Sequence, residues 1–258
     1  MNTDDIVVGE SLFALFKGEP GTGKSIAAHS FPETYTIDLD RKMSSVKSFY
    51  PGRRFEYDNF DDLISLNQRL EFLRSHCPYR TVIVDSITSL SQLSMRCMIK
   101  YRNPNPNSKT VRAGVPGSEI EDYGGETNEI NLVLDHLKAI NITHKVNVVV
   151  TAHVIEVQHQ SVGGKVTNTS RSLVTAGRKI AAIIPTQFDE AYHFDVRVLG
   201  ASMSLSEQSD DKPEYICYTR HVGDDWARTA LKIPTCIEWT DRNFYEILQK
   251  RIAGDISL

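Results

Sequence analysis

The chain has 258 residues, of which 40% are hydrophobic and 24% are charged, with a formal net charge of −4. This length allows one large domain or two small ones, and we expect a single domain over residues 1–258. No apolar run approaches the roughly 18 residues of a membrane helix, and the acidic first residues do not resemble a secretory signal, so we predict a cytoplasmic protein with no membrane partner.

The first predicted strand covers residues 11–17, and a glycine-rich turn follows it. Residues 18–25 match G-x-x-x-x-G-K-S, the pattern of a phosphate-binding loop (P-loop). The glycines let backbone amides turn toward phosphate oxygens, and the next helix directs its positive end at them. We expect Lys24 to reach the β- and γ-phosphates and Ser25 to ligate Mg²⁺. The predicted ATP-binding residues are Gly18, Glu19, Pro20, Gly21, Thr22, Gly23, Lys24, Ser25 and Ile26.

Strand-like apolar runs then alternate with helical patterns, which predicts an α/β fold: a mostly parallel sheet with helices on both faces. Further strands are predicted at 34–39, 54–57, 80–85 and 146–152, and helices at 60–75 and 127–142. Alternating segments at 188–198 and 215–220 predict antiparallel strands added at the C-terminal side of the sheet. The apolar stripe between Asp241 and Ile252 predicts a docking helix.

Acidic and imidazole side chains follow three of these strands, at the sheet edge where open α/β folds bind ligands. Asp85 ends the run Thr81–Asp85 and is the candidate for holding Mg²⁺ through its water shell. Asp38 and Asp40 lie on one face, and either would orient or deprotonate the attacking water; alternatively, one of them caps the next helix. His153 is a candidate γ-phosphate sensor, or else a half-buried histidine bonded to backbone. The candidate catalytic residues are therefore Lys24, Asp38, Asp40 and His153.

Positive charge is concentrated in two segments, residues 96–114 and 158–179, which contain nine Lys and Arg residues and no acid. The rest of the chain has 20 basic and 33 acidic residues. Such segregation is expected when a phosphate backbone is bound at one place, although both segments could instead be solvated surface. The first segment is rich in Asn and Pro and is predicted to be a long exposed loop. The candidate nucleic-acid contacts are Lys100, Arg102, Lys109, Arg112, Lys165, Arg171, Arg178 and Lys179.

The P-loop, Ile37-Asp-Leu-Asp40, Val82-Ile-Val-Asp-Ser86 and a later apolar strand with a polar end together resemble the RecA/DnaB-type ATPase core over residues 10–220. The resemblance is greatest to short phage-encoded RecA-like ATPases of single-strand annealing and recombination, which implies the cytoplasm of a host cell. It implies hydrolysis of ATP by water, with Asp40 in the place of the family's catalytic Glu. It also implies that His153 replaces a sensor that is often Gln. Residues 221–258 would add a strand and the docking helix to this core.

The same resemblance implies partners. Two loops line the DNA channel in RecA-like proteins, and the two basic segments stand in their places, which implies single-stranded DNA as the ligand. Such proteins assemble as homo-oligomeric rings or filaments, in which a basic residue of the neighbouring subunit completes the ATP site. Arg220 is the candidate for this trans-acting finger, and Arg228 is the alternative.

Three other functions stay open on the sequence alone. One is a DnaB-type replicative helicase that lacks its accessory domain, and another is a DNA-binding module gated by ATP with negligible hydrolysis. The third is a small-molecule kinase, which shares the P-loop. A kinase would usually need an arginine-rich lid, and the Asn/Pro-rich and Gly/Thr-rich basic segments resemble such a lid poorly.

Overall fold

Most of the chain is arranged around one large β-sheet. The structure, a computed structural model, describes residues 11–102, 111–112, 115–160, 166–197, 214–222, 226–240 and 243–254. The strands are β1 (Phe13–Gly18), β2 (Thr34–Asp38), β3 (Glu56–Asp58), β4 (Thr81–Asp85), β5 (Val111–Arg112), β6 (Val115–Pro116), β7 (Asn147–Gln160), β8 (Val166–Leu173), β9 (Glu190–Arg197), β10 (Glu214–Tyr218) and β11 (Cys236–Glu238). The helices are α1 (Lys24–His29), α2 (Met43–Phe49), α3 (Leu63–Ser75), α4 (Ile87–Tyr101), α5 (Ile120–His144), α6 (Arg178–Ile183) and α7 (Phe244–Ile252), and a 3-10 helix covers Ile184–Gln187.

The sheet has nine strands, eight of them in the order β11-β10-β9-β1-β7-β4-β2-β3, while β8 pairs with β7 off this path. The strands from β9 to β3 are parallel, and β10, β11 and β8 pair with their neighbours in antiparallel fashion. Pairing places Gly18 beside His153 and Asp38 beside Asp85. The predicted fold class is confirmed, and the register brings the candidate site residues to one edge of the sheet.

Apolar side chains cover both faces of the central strands, as expected for parallel strands that lie between two helical layers. Phe13 and Leu15 of β1 belong to a core shared with α3, α4 and α5. Ala14 and Phe16 of the same strand point to the other face, where α1 and α7 supply the packing residues. The P-loop that follows β1 is therefore mounted on a rigid strand.

Helix α5 begins at Ile120, whereas the periodicity predicted a helix only over 127–142. Its first turns contain Gly124 and Gly125, which have low helix propensity. A capping box between Glu119 and Asp122 offsets this cost. Gly125 also permits a close approach to α4, because a Cβ there would lie 2.5 Å from Sδ of Met98.

The second basic segment forms part of a β-hairpin. Strand β7 continues to Gln160 instead of ending near 152, and it pairs with β8 from Val154↔Leu173 onward. The first basic segment includes the end of α4, and β5 and β6 pair with each other within and just beyond it. None of the helices in the described parts of the chain is long and apolar enough to cross a membrane.

Candidate active site

The P-loop joins β1 to α1, and its glycines are required by close contacts. A Cβ on Gly18 would lie 2.3 Å from the carbonyl oxygen of Phe194 on the neighbouring strand. Gly23 has a φ of +81°, and a Cβ there would lie 2.7 Å from Cζ2 of Trp239. Any other residue at either position would push the loop away from the sheet that supports it.

Lys24 is buried inside the loop. Its Nζ donates to the carbonyl oxygen of Glu19 at 2.6 Å and to Oγ1 of Thr22 at 3.3 Å. Burial lowers the pKa of Lys24 to about 8, although the charges of Asp85 and Asp40 oppose this effect. The two carboxylates are therefore close enough to act on the lysine, and phosphate oxygens would replace the weak acceptors that it now contacts.

His29 supports the loop from inside the protein. Its Nδ1 lies 2.7 Å from the carbonyl oxygen of Ser25, and its Nε2 lies 2.9 Å from Oγ1 of Thr36 on β2. Burial lowers the pKa of His29, so the ring is neutral, with Nδ1 donating and Nε2 accepting. Sequence reasoning did not identify His29, although its spacing indicates the contact, since a residue four positions after Ser25 on a helix lies over its carbonyl group.

Asp85 ends β4 and is buried beside β7. Its Oδ1 accepts a hydrogen bond from Oγ1 of Thr151, and its backbone carbonyl accepts from the amides of Leu39 and Asp40. The Asp85–Ser86 peptide bond is cis. A hydroxyl at Ser25 and a carboxylate near Lys24 are oxygen donors of the kind that Mg²⁺ prefers. These residues fit a nucleotide-bound Mg²⁺, with Ser25 as a direct ligand and Asp85 acting through water.

Asp40 lies in a dense hydrogen-bond network. Its Oδ1 accepts from Oγ of Ser86 at 2.9 Å and from Oγ of Ser89 at 2.5 Å, and its Oδ2 lies 3.4 Å from both Nε2 of His153 and Nζ of Lys42. Burial favours the neutral acid, but the bonds from His153, Ser89 and Ser86 outweigh it and hold the pKa of Asp40 well below its usual range. This carboxylate is therefore ionised at neutral pH.

Asp38 has a different environment. Its two carboxylate oxygens accept hydrogen bonds from the backbone amides of Lys42 and Met43, at 3.1 and 3.3 Å, where α2 begins. Burial raises the pKa of Asp38, and these two bonds oppose the rise. Asp38 thus caps a helix, whereas Asp40 lines the cavity beside the P-loop.

That cavity has a volume of about 240 Å³. Its wall contains Asp40, His153 and six P-loop residues, which are Pro20, Gly21, Gly23, Lys24, Ser25 and Ile26. It also contains four residues that sequence reasoning did not identify, Lys42, Ser45, Val46 and Tyr215. His153 donates its backbone amide to Oγ1 of Thr88 at 3.1 Å, and its Nδ1 is buried without a hydrogen-bond partner among the described residues. The arrangement places a cation, an ionised carboxylate and an imidazole around one space.

The candidate nucleic-acid contacts differ in how accessible the structure shows them to be. Lys109 and Lys165 lie outside the described residues, as does the side chain of Arg112. Lys100 is exposed at the end of α4, whereas Arg102 forms ion pairs with Glu119 at 2.8 Å and Asp122 at 3.1 Å. Arg102 therefore fastens the end of α4 to the start of α5, which reduces its availability to phosphates.

Arg171 on β8 points back toward the nucleotide site. Its Nη1 lies 3.1 Å from Nε2 of His193 on β9, and its Nη2 lies 3.9 Å from Oε1 of Glu19 in the P-loop. Arg178 and Lys179 are exposed and line an open cleft of about 550 Å³ together with Tyr123, Thr127 and Asn128. This cleft lies between the start of α5 and residues 176–179.

Arg220 is exposed beyond the end of β10. Tyr218 pairs with His193 and Cys217 with Phe194, which itself pairs with Gly18, so the chain runs away from the P-loop toward residue 220. Arg228 instead contacts the carbonyl oxygen of Pro185, 3.5 Å from its Nη2. Neither guanidinium contributes to the site of its own chain.

Comparison with known proteins identifies a family for the chain. No curated protein matches the chain in a sequence search. The crystal structure of flagellar accessory protein FlaH from Methanocaldococcus jannaschii is similar at 13% identity, covering 81% of this chain and 77% of that one with a TM-score of 0.36, a likeness too distant to inform function. A family model described as an AAA domain matches residues 12–221, a span that includes the P-loop, Asp40, Asp85 and His153. The chain therefore belongs to the AAA domain family of P-loop ATPases.

Proposed function

We propose that this ATPase is a RecA-like protein that binds ATP–Mg²⁺ between the subunits of a ring or filament and couples its nucleotide state to single-stranded DNA. It would act in recombination, annealing or replication, in the cytoplasm of a host cell if a phage encodes it. Water attacks the γ-phosphorus, and the bond to the β-phosphate oxygen breaks to give ADP and inorganic phosphate.

Asp40 is the residue that would position the water. It is ionised and lines the cavity, whereas the oxygens of Asp38 are used by the start of α2. A carboxylate with so low a pKa is a poor proton acceptor, so we infer that Asp40 orients the water more than it deprotonates it. His153 lies 3.4 Å from Asp40, so a contact between its ring and the γ-phosphate would change the position of this carboxylate.

The observation that carries the DNA proposal is that the second basic segment ends in an open cleft against α5. Arg102 of the first segment is ion-paired to Glu119 and Asp122 at the start of the same helix and does not line the cleft. Arg178 and Lys179, the last two residues of the second segment, line the cleft together with Tyr123. Their positive charge would neutralise phosphates without reading sequence. Tyr123 would add a stacking ring beside the cations.

The subunit interface is supported by the position of Arg220. This exposed guanidinium lies away from its own P-loop, as a residue that serves the site of a neighbouring chain must. A guanidinium supplied in trans stabilises negative charge that develops on the transferred phosphoryl group. The experiment that tests the proposal measures ATPase rate with and without single-stranded DNA, together with the oligomeric mass in each nucleotide state. A protein that stays monomeric in every nucleotide state and has the same ATPase rate with and without DNA would contradict the proposal.

One rival is favoured by a specific observation. Asp40 is one methylene shorter than Glu, and it is held by two serines and a histidine. Such a carboxylate would turn ATP over slowly, which suits a DNA-binding module in which ATP is mainly a conformational ligand. Tight, ATP-dependent DNA binding with hydrolysis near background would favour this function over the active ATPase.

A further inference from the structure

Two aromatic rings lie against Gly23 of the P-loop. Tyr215 stands on β10 and Trp239 follows β11, and the amide of Trp239 donates to the carbonyl oxygen of Tyr215 at 3.1 Å. Their ring centroids are 5.2 Å apart at an angle of 38°. Both rings touch Gly23, since a Cβ there would lie 2.7 Å from Trp239 and 3.0 Å from Cδ1 of Tyr215.

The two rings differ in burial. Trp239 is 2% exposed and packs among Phe194 and Phe244, so it is part of the core. Tyr215 is half-buried and lines the cavity that contains Lys24 and Ser25. Among the described residues of that cavity wall, Tyr215 carries the one phenol ring, and the other ring is the smaller, polar imidazole of His153. Trp239 therefore holds Tyr215 in place from behind, and the open part of the tyrosine ring faces the ligand space.

The cavity is chemically divided. Lys24, Lys42, Asp40 and His153 make one part of its wall polar and suited to phosphates and metal, whereas Tyr215 offers a flat, largely apolar surface. A nucleotide has the same division, with a charged tail and a planar base. Stacking of a base on an aromatic side chain contributes about 1–3 kcal/mol.

We propose that Tyr215 is the platform on which the base of the bound nucleotide stacks, with Trp239 as its positioning residue. The inference rests on the proposed binding of ATP at the P-loop. Because stacking uses the face of the base and not its edge, Tyr215 alone discriminates weakly between purines. ATP and GTP should therefore bind within about tenfold of each other.

The test compares two ligands that differ in the base. Binding of Mg²⁺–ATP and of Mg²⁺–tripolyphosphate, which has no nucleoside, is measured by calorimetry for the unsubstituted protein, Tyr215→Ala and Tyr215→Phe. We expect Tyr215→Ala to raise the Kd for ATP about tenfold and to leave the Kd for tripolyphosphate within about twofold. Tyr215→Phe keeps the ring and should bind both ligands normally.

Other outcomes overturn the inference in distinguishable ways. If Tyr215→Ala raises the Kd for ATP and the Kd for tripolyphosphate equally, the ring only supports the P-loop. If it leaves the Kd for ATP unchanged, the base lies elsewhere. An unsubstituted protein that binds neither ligand would contradict nucleotide binding itself. Retained tripolyphosphate binding shows, in the same experiment, that the variant is folded.

Discussion

Nε2 of His153 lies 3.4 Å from Oδ2 of Asp40, which links the middle of β7 to the residues just beyond β2, on either side of β4. His153 also pairs with Gly18, the first residue of the P-loop. A single imidazole thus touches the carboxylate that would position water and stands beside the loop that would hold the phosphates.

Replacing Asp40 with Asn should separate binding from turnover. The amide keeps the size of the side chain but loses the negative charge that orients water, so we expect kcat to fall about 100-fold or more while the Kd for ATP changes little. Steady-state hydrolysis and nucleotide titration measure the two quantities. Asp38→Asn is the matched control, because it perturbs the start of α2 and should cost thermal stability more than turnover. Full turnover in Asp40→Asn would assign the water to another residue.

Removing the imidazole at 153 should change the pH dependence of turnover. His153→Ala deletes one of the hydrogen bonds that lower the pKa of Asp40, so this pKa should rise toward its ordinary value. We expect the acid limb of kcat to move to higher pH and kcat at neutral pH to fall about tenfold. His153→Gln restores a donor and should recover most of the rate. An unshifted acid limb in the alanine variant would show that the contact is only structural.

The affinity for ATP should decrease in alkaline solution. The pKa of Lys24 is lowered to about 8, so the free protein loses this proton as the pH rises through that value, while phosphate binding favours the charged amine. We expect the Kd for ATP to rise by up to about tenfold per pH unit above 8. A nucleotide titration between about pH 6.5 and 9.5 measures this. Lys24→Arg stays charged and should give a flat profile if it binds, and a flat profile in the unsubstituted protein would contradict the prediction.

The same lysine should also affect folding stability, with a defined sign. The unfolded chain has the ordinary lysine pKa of 10.5, so between about pH 8 and that value it binds more protons than the folded protein does. The contribution of Lys24 to the free energy of unfolding therefore rises with pH in this window and is constant below it. Denaturant unfolding of the unsubstituted protein and of Lys24→Met at several pH values isolates this contribution. The free energy of unfolding of the unsubstituted protein minus that of Lys24→Met should rise between about pH 8 and 10.5. A value of this difference that stays constant over that range would contradict the prediction.

The cleft cations should account for part of the DNA affinity. Arg178 and Lys179 are exposed, so the double alanine variant should weaken binding of single-stranded DNA and reduce the slope of log K against log salt by about 1.4. Fluorescence anisotropy at several salt concentrations measures both changes. Lys138→Ala removes an exposed lysine elsewhere on α5 and serves as the control. If Lys138→Ala and the double variant change the DNA affinity and the salt slope equally, the cleft does not contact the DNA.

Local sequence signals predicted the parts of the site that depend on neighbours in the chain. The P-loop pattern and the strand that ends at Asp85 were sufficient to place the P-loop and Asp85 at the same edge of the sheet. The sequence left Asp38 and Asp40 equivalent, because an extended chain would place both on one face, whereas β2 ends at Asp38. What distinguishes them is where α2 begins, and that depends on tertiary packing.

Other features depend on distant parts of the chain. Tyr215 and Trp239 reach Gly23 only because β10 and β11 add to the sheet edge beside β9, which no local pattern near the P-loop indicates. The extension of β7 beyond 152 was missed since residues 156–160 are mostly polar, and the pairing with β8 holds them in a strand. Contacts between strands override weak local propensity at these places.

Through Arg171, the β7–β8 hairpin is joined both to Glu19 of the P-loop and to His193 of β9. Free-energy coupling between two ligands is reciprocal. If the hairpin binds single-stranded DNA, the factor by which bound nucleotide raises the affinity for DNA must equal the factor by which bound DNA raises the affinity for nucleotide. Substitution of this arginine would therefore weaken both effects together, and the two numbers, obtained in separate titrations, provide an internal check on each other.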